Sequence, residues 1–307
     1  MKVLVTGGAG FIGSHLVRQL LAAGNEVTVL DNVSTGDWGH LPAGCEEWEM
    51  DIRSQEIIPR IMKARFDAIV HLAAQTMVNV SIDDPAFDAM QNVVGTVNVL
   101  EAARKSEVGR VIFASTAAGY GDVAETELPI KEQQALQPMS FYGLSKVTVE
   151  KYLAMYKEVF GLDYVALRFA NVYGERQGDT GEGGVISIFA KRVAAGKGIT
   201  IYGDGEQTRD FIYAGDIAAG ICAALETENV NAVYNLSTST ETSLNELVKI
   251  MEDITWKKVD VSYGAVRTGD IRRSVLDNSM AVQNLGWKPQ TSLKKGLKNT
   301  IGYFKGE

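Results

Sequence analysis

The first half of the chain alternates short runs of aliphatic residues with longer stretches whose apolar positions recur every three or four residues. Lys2–Thr6 and Glu26–Asp31 predict strands, and Phe11–Ala23 between them predicts a helix. Continuous apolar runs, such as Ala68–Val70 and Val111–Phe113, are typical of strands buried on both faces of a parallel sheet. The alternation therefore predicts βαβ units.

The same alternation continues to about residue 170. Asp67–Ala73 and Arg110–Ser115 predict two further strands, with a helical stretch at Pro85–Lys105 between them. Phe141–Phe160 predicts a long helix, and Tyr164–Phe169 predicts the strand that follows it. We expect a Rossmann-type α/β fold, a doubly wound parallel sheet in residues 1–170.

Beyond residue 171 the elements become shorter and a glycine-rich loop intervenes at Gly178–Gly184. Segments near residues 211–236 are expected to return to the large sheet. Residues 171–307 should mainly form a smaller, interwoven substrate domain, with the ligand bound between the two parts. The helices predicted here are Val185–Ala195, Asp216–Glu226, Leu244–Asp253 and Leu293–Phe304.

Composition and charge exclude several classes of protein. The net charge of −8 over 307 residues argues against nucleic-acid binding, which usually needs a basic face. Cys45 and Cys222 lie far apart, and the three histidines lack metal-ligand spacing, so we expect neither a metal site nor a disulfide framework. The cysteine pattern suits a reducing cytoplasm. No stretch approaches the roughly 18 apolar residues of a membrane span, and the first apolar run is too short for a signal peptide.

A glycine-rich loop connects the first predicted strand to the first predicted helix. Gly7, Gly10 and Gly13 follow a G-x-x-G-x-x-G spacing, and Gly8 with the last two also satisfies G-x-G-x-x-G. Dinucleotide-binding folds need such glycines for a tight turn, for close approach of the backbone to the pyrophosphate, and for packing of helix on strand. The pyrophosphate then lies at the positive end of the helix. The loop therefore predicts a dinucleotide site.

The residue that ends the second predicted strand refines this prediction. Asp31 lies 18 residues after Gly13, where a carboxylate would accept hydrogen bonds from the adenosine ribose and repel a 2′-phosphate. Asn32 and Val33 follow, so no arginine or lysine comes directly afterwards. An ordinary turn with a strand-capping aspartate is the alternative, but the combined context favours NAD over NADP.

Tyr142 and Lys146 place a phenol and an ammonium one helical turn apart on one face of the long helix. A phenol has a pKa near 10, and a cation within about 4–6 Å lowers it. Such a tyrosine could remove a proton from a substrate hydroxyl. The spacing also occurs by chance in exposed helical pairs. Its position after the strand Arg110–Ser115 of a dinucleotide-binding sheet favours catalysis, because ligands bind at the carboxyl ends of such strands.

The strand before this helix ends in two hydroxyl residues, Ser115 and Thr116. A hydroxyl at this position could bind the substrate oxygen beside Tyr142. A strand-end hydroxyl that satisfies loop backbone is the common alternative.

Together these residues resemble a known family. The chain resembles the extended short-chain dehydrogenases/reductases of the NAD-dependent epimerase/dehydratase branch, and within it the UDP-glucose (UDP-galactose) 4-epimerases. The resemblance covers nearly the whole chain and rests on motifs such as Thr6–His15, His71–Ala74 and Arg168–Gly174. It implies that Tyr142, Lys146 and Thr116 are catalytic. It also implies NAD as cofactor, contacted by Gly7, Gly10, Phe11, Ile12, Gly13, Asp31, Asn32, Asp51, Ile52, Leu72, Ala73, Ala74, Asn92, Tyr142 and Lys146.

Two segments in the second half of the chain resemble family segments that hold a nucleotide diphosphate. By this resemblance Arg209 and Arg267 bind the diphosphate, and Asp270 lies near the nucleoside ribose. A guanidinium suits this work because its fork donates two parallel hydrogen bonds. Without the resemblance, each arginine would more often be a surface residue. A UDP-sugar is thus the implied substrate, contacted by Thr116, Asn171, Val185, Arg209, Arg267, Asp270 and Ser274.

Two features of the sequence refine this resemblance, one for the branch of the family and one for the sugar. Its dehydratases carry an Asp-Glu pair directly after the catalytic threonine, and its sugar-acid decarboxylases carry a glutamate there. This chain has Ala117 and Ala118, which favours simple 4-epimerisation. Ser274 aligns with the residue that limits the space around C2 of the sugar, and its small side chain is compatible with N-acetylated sugars. A register shift of one residue would place Arg273 there instead.

The resemblance implies a mechanism and an assembly. The C4 hydroxyl loses its proton to Tyr142 while hydride passes to NAD⁺, and hydride returns to the other face of a transient 4-keto sugar. A homodimer would form through Pro85–Lys105 and Phe141–Phe160, packed as a four-helix bundle. The alternatives are a 4,6-dehydratase, a UDP-glucuronate decarboxylase, or a non-catalytic NAD-sensing protein. The last would be expected to lack the Tyr142–Lys146 pair.

Overall fold

A seven-stranded parallel sheet is the centre of the computed structural model, which describes residues 1–178, 184–266 and 271–306. The neighbours in this sheet follow the order β3-β2-β1-β4-β5-β6-β11. In chain order the strands are β1 (Lys2–Thr6), β2 (Glu26–Asp31), β3 (Glu46–Glu49), β4 (Ala68–His71), β5 (Arg110–Thr116), β6 (Asp163–Phe169), β7 (Asn171–Tyr173), β8 (Ile199–Tyr202), β9 (Thr208–Arg209), β10 (Phe211–Tyr213), β11 (Ala232–Leu236), β12 (Thr242–Ser243), β13 (Val261–Gly264) and β14 (Arg273–Ser274).

Helices cover both faces of this sheet and form most of the C-terminal part. The helices are α1 (Phe11–Ala22), α2 (Ile57–Ala64), α3 (Val78–Asp83), α4 (Pro85–Ala89), α5 (Gly95–Lys105), α6 (Phe141–Phe160), α7 (Val185–Ala194), α8 (Ala214–Glu226), α9 (Leu244–Thr255), α10 (Ser279–Leu285) and α11 (Leu293–Lys305). A π-helical turn, Met90–Val94, joins α4 to α5.

The order of the strands creates a crevice at the centre of the sheet. From β1 the chain runs outward through β2 to β3, and then returns to place β4 on the other side of β1. Ligands of doubly wound sheets bind at such a reversal, at the carboxyl ends of the strands. The ends of β1 and β4 meet here, since Thr6 pairs with His71.

Alternate residues of the strands supply the two hydrophobic cores. Val3 and Val5 on β1 face the core formed with α1 and α8, and Leu4 faces the opposite core formed with α2, α5 and α6. Since successive side chains of a strand point to opposite faces, an all-apolar strand fills both cores. The apolar runs in the sequence therefore mark strands buried on both sides.

A third hydrophobic core lies in the C-terminal part and is built from residue 173 onward. It includes Tyr173, Phe189, Leu247 and Ile301. The small sheets β8–β13 and β12–β9–β14 belong to this part of the chain. β11 also lies beyond residue 171, yet it pairs with β6 in the large sheet. The boundary near residue 170 stays a prediction.

The predicted fold class is confirmed, and the differences are local. The predicted strand Asp67–Ala73 is limited to Ala68–His71, because the N–H groups of Leu72 and Ala73 both turn back to the Thr6 carbonyl. The predicted helix at Pro85–Lys105 is interrupted by the π-helical turn.

The described residues lack both a membrane-spanning helix and a metal-binding cluster. None of the described helices combines the length and the apolar character needed to cross a membrane. The same part of the chain contains no group of three or more histidine, cysteine or acidic side chains arranged to hold a metal ion.

Candidate active site

The loop between β1 and α1 packs so tightly that it admits only glycine at two positions. Gly7 has a φ of +71°, and a Cβ there would lie 2.6 Å from the backbone nitrogen of Ala73. A Cβ on Gly13 would lie 2.2 Å from the Gly7 carbonyl oxygen. This loop thus brings the start of α1 directly against the ends of β1 and β4.

The start of α1 has the properties of an anion-binding site. Its N-cap, Gly10, has no side chain to donate or accept, and no described side chain caps the helix. The N–H groups of the first turn, which begins at Phe11, therefore remain available to a ligand, and the helix dipole favours negative charge there. This donor set and the glycine cradle fit the pyrophosphate of NAD.

Asp31 closes the other side of this loop. Its carboxylate is buried and accepts hydrogen bonds from the backbone N–H groups of Ala9, at 3.0 Å, and Val33, at 2.8 Å. Burial raises the pKa of Asp31 above its usual value, and the two N–H groups oppose this shift. Next to it, the side-chain amide of Asn32 donates to Asp51. Hydrogen bonding to Arg53 is the main cause that lowers the pKa of Asp51 to about 2.

Lys146 is the buried cation of the site. It is 4% exposed, and its Nζ donates to the Ala114 carbonyl on β5 at 2.9 Å. The same Nζ lies 6.0 Å from the centroid of the Tyr142 ring and 4.9 Å from that of Phe113. Burial lowers the pKa of Lys146 to about 8, and the charge of Asp88 opposes that shift.

Thr116 and Tyr142 are positioned by two local caps. The hydroxyl of Thr116 accepts from Ala118 N–H at 3.1 Å and starts a short 3-10 turn after β5. The hydroxyl of Ser140 accepts from Gly143 N–H at 3.1 Å and starts α6. A Cβ on Gly143 would lie 2.7 Å from the Ala118 carbonyl oxygen, so this glycine allows α6 to begin against the 3-10 turn.

One cavity brings most of the predicted residues together. It extends from the glycine loop, past the catalytic candidates, to the start of α7. The predicted residues on its wall are Gly7, Gly10, Phe11, Ile12, Gly13, Asp31, Asn32, Ile52, Leu72, Ala73, Ala74, Thr116, Tyr142, Lys146, Asn171 and Val185.

Four predicted residues lie outside this wall. Asp51 bonds to Asn32 and Arg53, and Asn92 is buried behind the wall. Arg209 and Ser274 are partners in the pairing of β9 with β14. Arg267 and Asp270 fall outside the described residues, so the structure gives no placement for them.

Gln177, which was not predicted from the sequence, lies on the wall of the cavity near α7. The residue is 6% exposed, and its Nε2 donates to the Val172 carbonyl at 3.1 Å. Its buried Oε1 has no hydrogen-bond partner among the described residues. A buried acceptor without a partner is costly, so a donor from water or from a ligand is expected to reach it. Its position three residues after the Arg168–Gly174 motif was the available clue.

Comparisons with known proteins agree with this geometry. Residues 3–237 match the model of the NAD dependent epimerase/dehydratase family. A UDP-glucose 4-epimerase from Mycolicibacterium smegmatis is 38% identical over 100% of this chain and 99% of its own length.

Two solved structures extend this comparison. The UDP-glucose 4-epimerase of Thermotoga maritima, solved with UDP-glucose, is 40% identical, with a TM-score of 0.96 over 100% of this chain and 99% of that one. The UDP-N-acetylglucosamine 4-epimerase of Methanobrevibacter ruminantium, solved with UDP-N-acetylmuramic acid, is 34% identical, with a TM-score of 0.93 over 99% and 98% of the two chains. The resemblance drawn from the sequence is confirmed: this chain belongs to the NAD-dependent epimerase/dehydratase family.

Proposed function

We propose that the protein catalyses the NAD-dependent 4-epimerisation of a UDP-sugar, with UDP-glucose and UDP-galactose as the primary pair. One observation carries the proposal: Tyr142, Lys146 and Thr116 lie on the wall of the same cavity that starts at the Gly7–Gly13 loop. A phenol, a buried ammonium and a hydroxyl therefore meet where a dinucleotide and a sugar can share one space. The similarity to UDP-glucose 4-epimerases over the full chain supports this assignment.

The chain's own residues handle the proton and the orientation of the sugar. When bound, NAD would supply the acceptor for the hydride of the sugar C4 and the source from which that hydride returns. Tyr142 accepts the proton of the C4 hydroxyl, and the charge on Lys146 Nζ keeps the phenol oxygen ionised. Lys146 would also hold the nicotinamide ribose, and Thr116 would hold the C4 oxygen. In the return step, the opposite face of the sugar ring would take up the hydride at C4, and Tyr142 gives its proton back to the C4 oxygen.

The end of β5 favours epimerisation over elimination or decarboxylation. Thr116 is followed by Ala117 and Ala118, which form a 3-10 turn with Gly119. No carboxyl group is present at these two positions to protonate a leaving hydroxyl. A 4,6-dehydratase or a decarboxylase would need that group, so we favour an enzyme whose product has the mass of its substrate.

The substrate is proposed to extend from the cavity toward β9 and β14. Asn171 and Val185 would contact the sugar and diphosphate from the cavity wall, whereas Arg209, Arg267 and Asp270 would hold the nucleotide. Ser274 lies opposite Arg209 in the β9–β14 pair.

A small side chain at Ser274 leaves room for a C2 acetamido group. We therefore include the N-acetylated UDP-hexoses as substrates. The similarity to a UDP-N-acetylglucosamine 4-epimerase supports this.

We also propose a homodimer formed by Pro85–Lys105, which comprises α4, the π-helical turn and α5, together with α6. These helices pack together and expose large apolar side chains on their outer surface, among them Phe87, Met90, Met155 and Val159. Several large apolar side chains exposed on helices that pack together are typical of a protein interface. Met155→Glu should convert the dimer to a monomer in light scattering, whereas Met62→Glu, on the exposed side of α2, should leave it dimeric. A monomeric wild type would contradict the proposal.

We also propose that the protein is cytoplasmic and that a domain boundary lies near residue 170. Cys45 and Cys222 are both free, which suits the reducing cytoplasm. The third hydrophobic core supports a substrate domain formed mainly by residues 171–307.

The function is tested by incubating the protein with UDP-glucose, UDP-N-acetylglucosamine and UDP-glucuronate in turn. Proton NMR of each product reports the configuration at C4, and mass spectrometry reports loss of water or carbon dioxide. We expect C4 inversion at constant mass with the first two sugars. Loss of mass with any of them would instead identify a dehydratase or a decarboxylase.

A further inference from the structure

A carboxylate that the proposed mechanism does not use lies buried next to the catalytic helix. Asp88, on α4, is only 1% exposed. Its Oδ1 accepts hydrogen bonds from the side-chain amides of Gln75, at 2.8 Å, and Asn92, at 3.1 Å. Among the residues that the structure describes, no lysine, arginine or histidine forms an ion pair with it. Its negative charge is therefore not neutralised by any group to which it is hydrogen-bonded.

Hydrogen bonding alone does not explain a charged group at this position. Removing a carboxylate from water is expensive, and far more so than burying a neutral acceptor. An amide or hydroxyl oxygen could accept from Gln75 and Asn92 at a much lower desolvation cost. What the carboxylate adds is a negative electrostatic field, which reaches far in a buried environment.

The charge of Asp88 acts on Lys146. Burial lowers the pKa of Lys146, and Asp88 is the charged group that raises it. The other titratable groups facing Lys146 are Tyr142 on its own helix and His71 from β4. Burial lowers the pKa of His71 to about 3, so this ring stays neutral. From β5, Lys146 meets the ring of Phe113 and a carbonyl, which do not titrate.

A chain of polar contacts also connects Asp88 to the catalytic helix. The Asn92 amide lies 3.1 Å from the hydroxyl of Ser145, which donates to the Tyr142 carbonyl at 2.9 Å. Asn92 is part of the π-helical turn after α4, and such turns occur frequently at functional sites. Asp88 and Asn92 thereby connect the turn to the residues that flank Lys146.

We propose that Asp88 is a positioning residue of the reaction, whose buried charge keeps Lys146 protonated at neutral pH. The proposal rests on the proposed function, because it assigns to Asp88 the maintenance of the charge that activates Tyr142. Removal of this charge makes Lys146 lose its proton at a lower pH. The phenol of Tyr142 then loses the cation that keeps it ionised.

The test follows Lys146 directly in the holoprotein. Protein labelled with [¹³Cε]lysine is titrated by NMR, and the Lys146 signal is assigned by its loss in Lys146→Met. In Asp88→Asn the midpoint of this signal should fall by about one pH unit. The basic limb of the kcat profile with UDP-galactose should move to lower pH by the same amount. Asp88→Glu, which keeps the charge, should restore both toward the wild-type values.

Asp84→Asn provides the matched control. Asp84 is exposed at the N-cap of the same helix, and asparagine caps as well as aspartate does. Asp84→Asn removes the same charge as Asp88→Asn does and should leave the Lys146 midpoint unchanged.

A second neutral variant keeps the proposal testable if the first one misfolds. If Asp88→Asn does not fold, the smaller neutral variant Asp88→Ser should give the same downward shift. An unchanged Lys146 midpoint in a folded neutral variant would overturn the proposal, even if kcat fell equally at every pH. A wild type whose Lys146 titrates as expected but which does not epimerise UDP-galactose would count against the proposed function instead.

Discussion

The guanidinium of Arg168 lies 2.6 Å from the carboxylate of Glu150, and both side chains are almost completely buried. The pair joins β6 to α6. Glu150 also accepts from the hydroxyl of Ser115, and Arg168 donates to the hydroxyl of Tyr120 at 2.9 Å. This network fixes the helix that carries Tyr142 against the strand that ends in Thr116. The catalytic geometry thus depends on an ion pair behind the cavity.

Breaking this pair from one side should be costly. Arg168→Met leaves the Glu150 carboxylate buried without its partner, which costs about 3–5 kcal/mol in comparable buried pairs. We expect a loss of that size in the free energy of unfolding, measured by chemical denaturation. Arg104→Met is the control, because Arg104 forms a similar pair with Glu101 at the surface. Equal effects of the two substitutions would contradict the role assigned to the buried pair.

Tyr142 should be needed for turnover but not for the fold or for binding NAD. Tyr142→Phe removes only the phenol oxygen, and loss of a general base lowers kcat by roughly 10²–10⁴-fold. The NAD content of the purified variant should match that of the wild type. Tyr152→Phe, an exposed tyrosine on the same helix, should keep normal kcat. Near-normal turnover by the Tyr142 variant would exclude it as the base.

Lys146 should lower the free energy of unfolding at neutral pH although it supports catalysis. Its pKa is lowered from 10.5 to about 8 in the folded protein, so the folded state binds the proton less tightly than the unfolded state does. The destabilisation is therefore fully present below pH 8 and is relieved as the pH rises toward 10.5. Lys146→Met should then raise the free energy of unfolding at pH 7 while kcat falls.

The difference in the free energy of unfolding between Lys146→Met and the wild type should shrink as the pH approaches 10.5. Denaturation curves of both proteins at pH 7 and pH 10 measure this difference. A variant less stable than the wild type at pH 7 would show that burial of the ammonium is not the dominant cost.

The glycine loop should determine whether the protein retains its cofactor. In Gly13→Ala the new Cβ would meet the Gly7 carbonyl at 2.2 Å, so α1 must move away from β1. We expect the purified variant to contain no NAD, measured by chromatography of the nucleotides released by acid. Gly24→Ala is the control, because Gly24 has a φ of +78° but no neighbour within 4 Å. It should cost about 1–2 kcal/mol of strain and retain NAD. Equal NAD content in both variants would contradict the assignment of the loop.

Local sequence patterns predicted the parts of the fold that depend on near neighbours. Phe141–Phe160 has the bounds that its helical periodicity predicted, since a capping serine precedes it and Gly161 ends it. β3 was missed because Glu46–Glu49 carries three glutamates at the edge of the sheet, and only Trp48 is buried. α2 was missed because Pro59 lies within a short helix, in the first turn, where proline is tolerated.

The residues of the candidate site divide in the same way, into local motifs and residues that meet only through packing. The glycine loop and the Tyr142–Lys146 pair are local motifs, so the sequence alone is enough to propose both as parts of the site. The contact of Asp88 with Gln75 depends instead on how α4 packs against the segment that follows β4. Gln177 likewise reaches the cavity only because β7 and α7 fold back over it. A single sequence carries no local pattern for such contacts.

The central claim is that the hydrogen on C4 of the sugar leaves and returns without entering the solvent. Its most direct test is to incubate the protein, without added NAD, with UDP-glucose deuterated at C4. We predict UDP-galactose of unchanged mass with the deuterium still on C4, observed by proton NMR and mass spectrometry. Product with solvent hydrogen at C4, or with a different mass, would contradict the account.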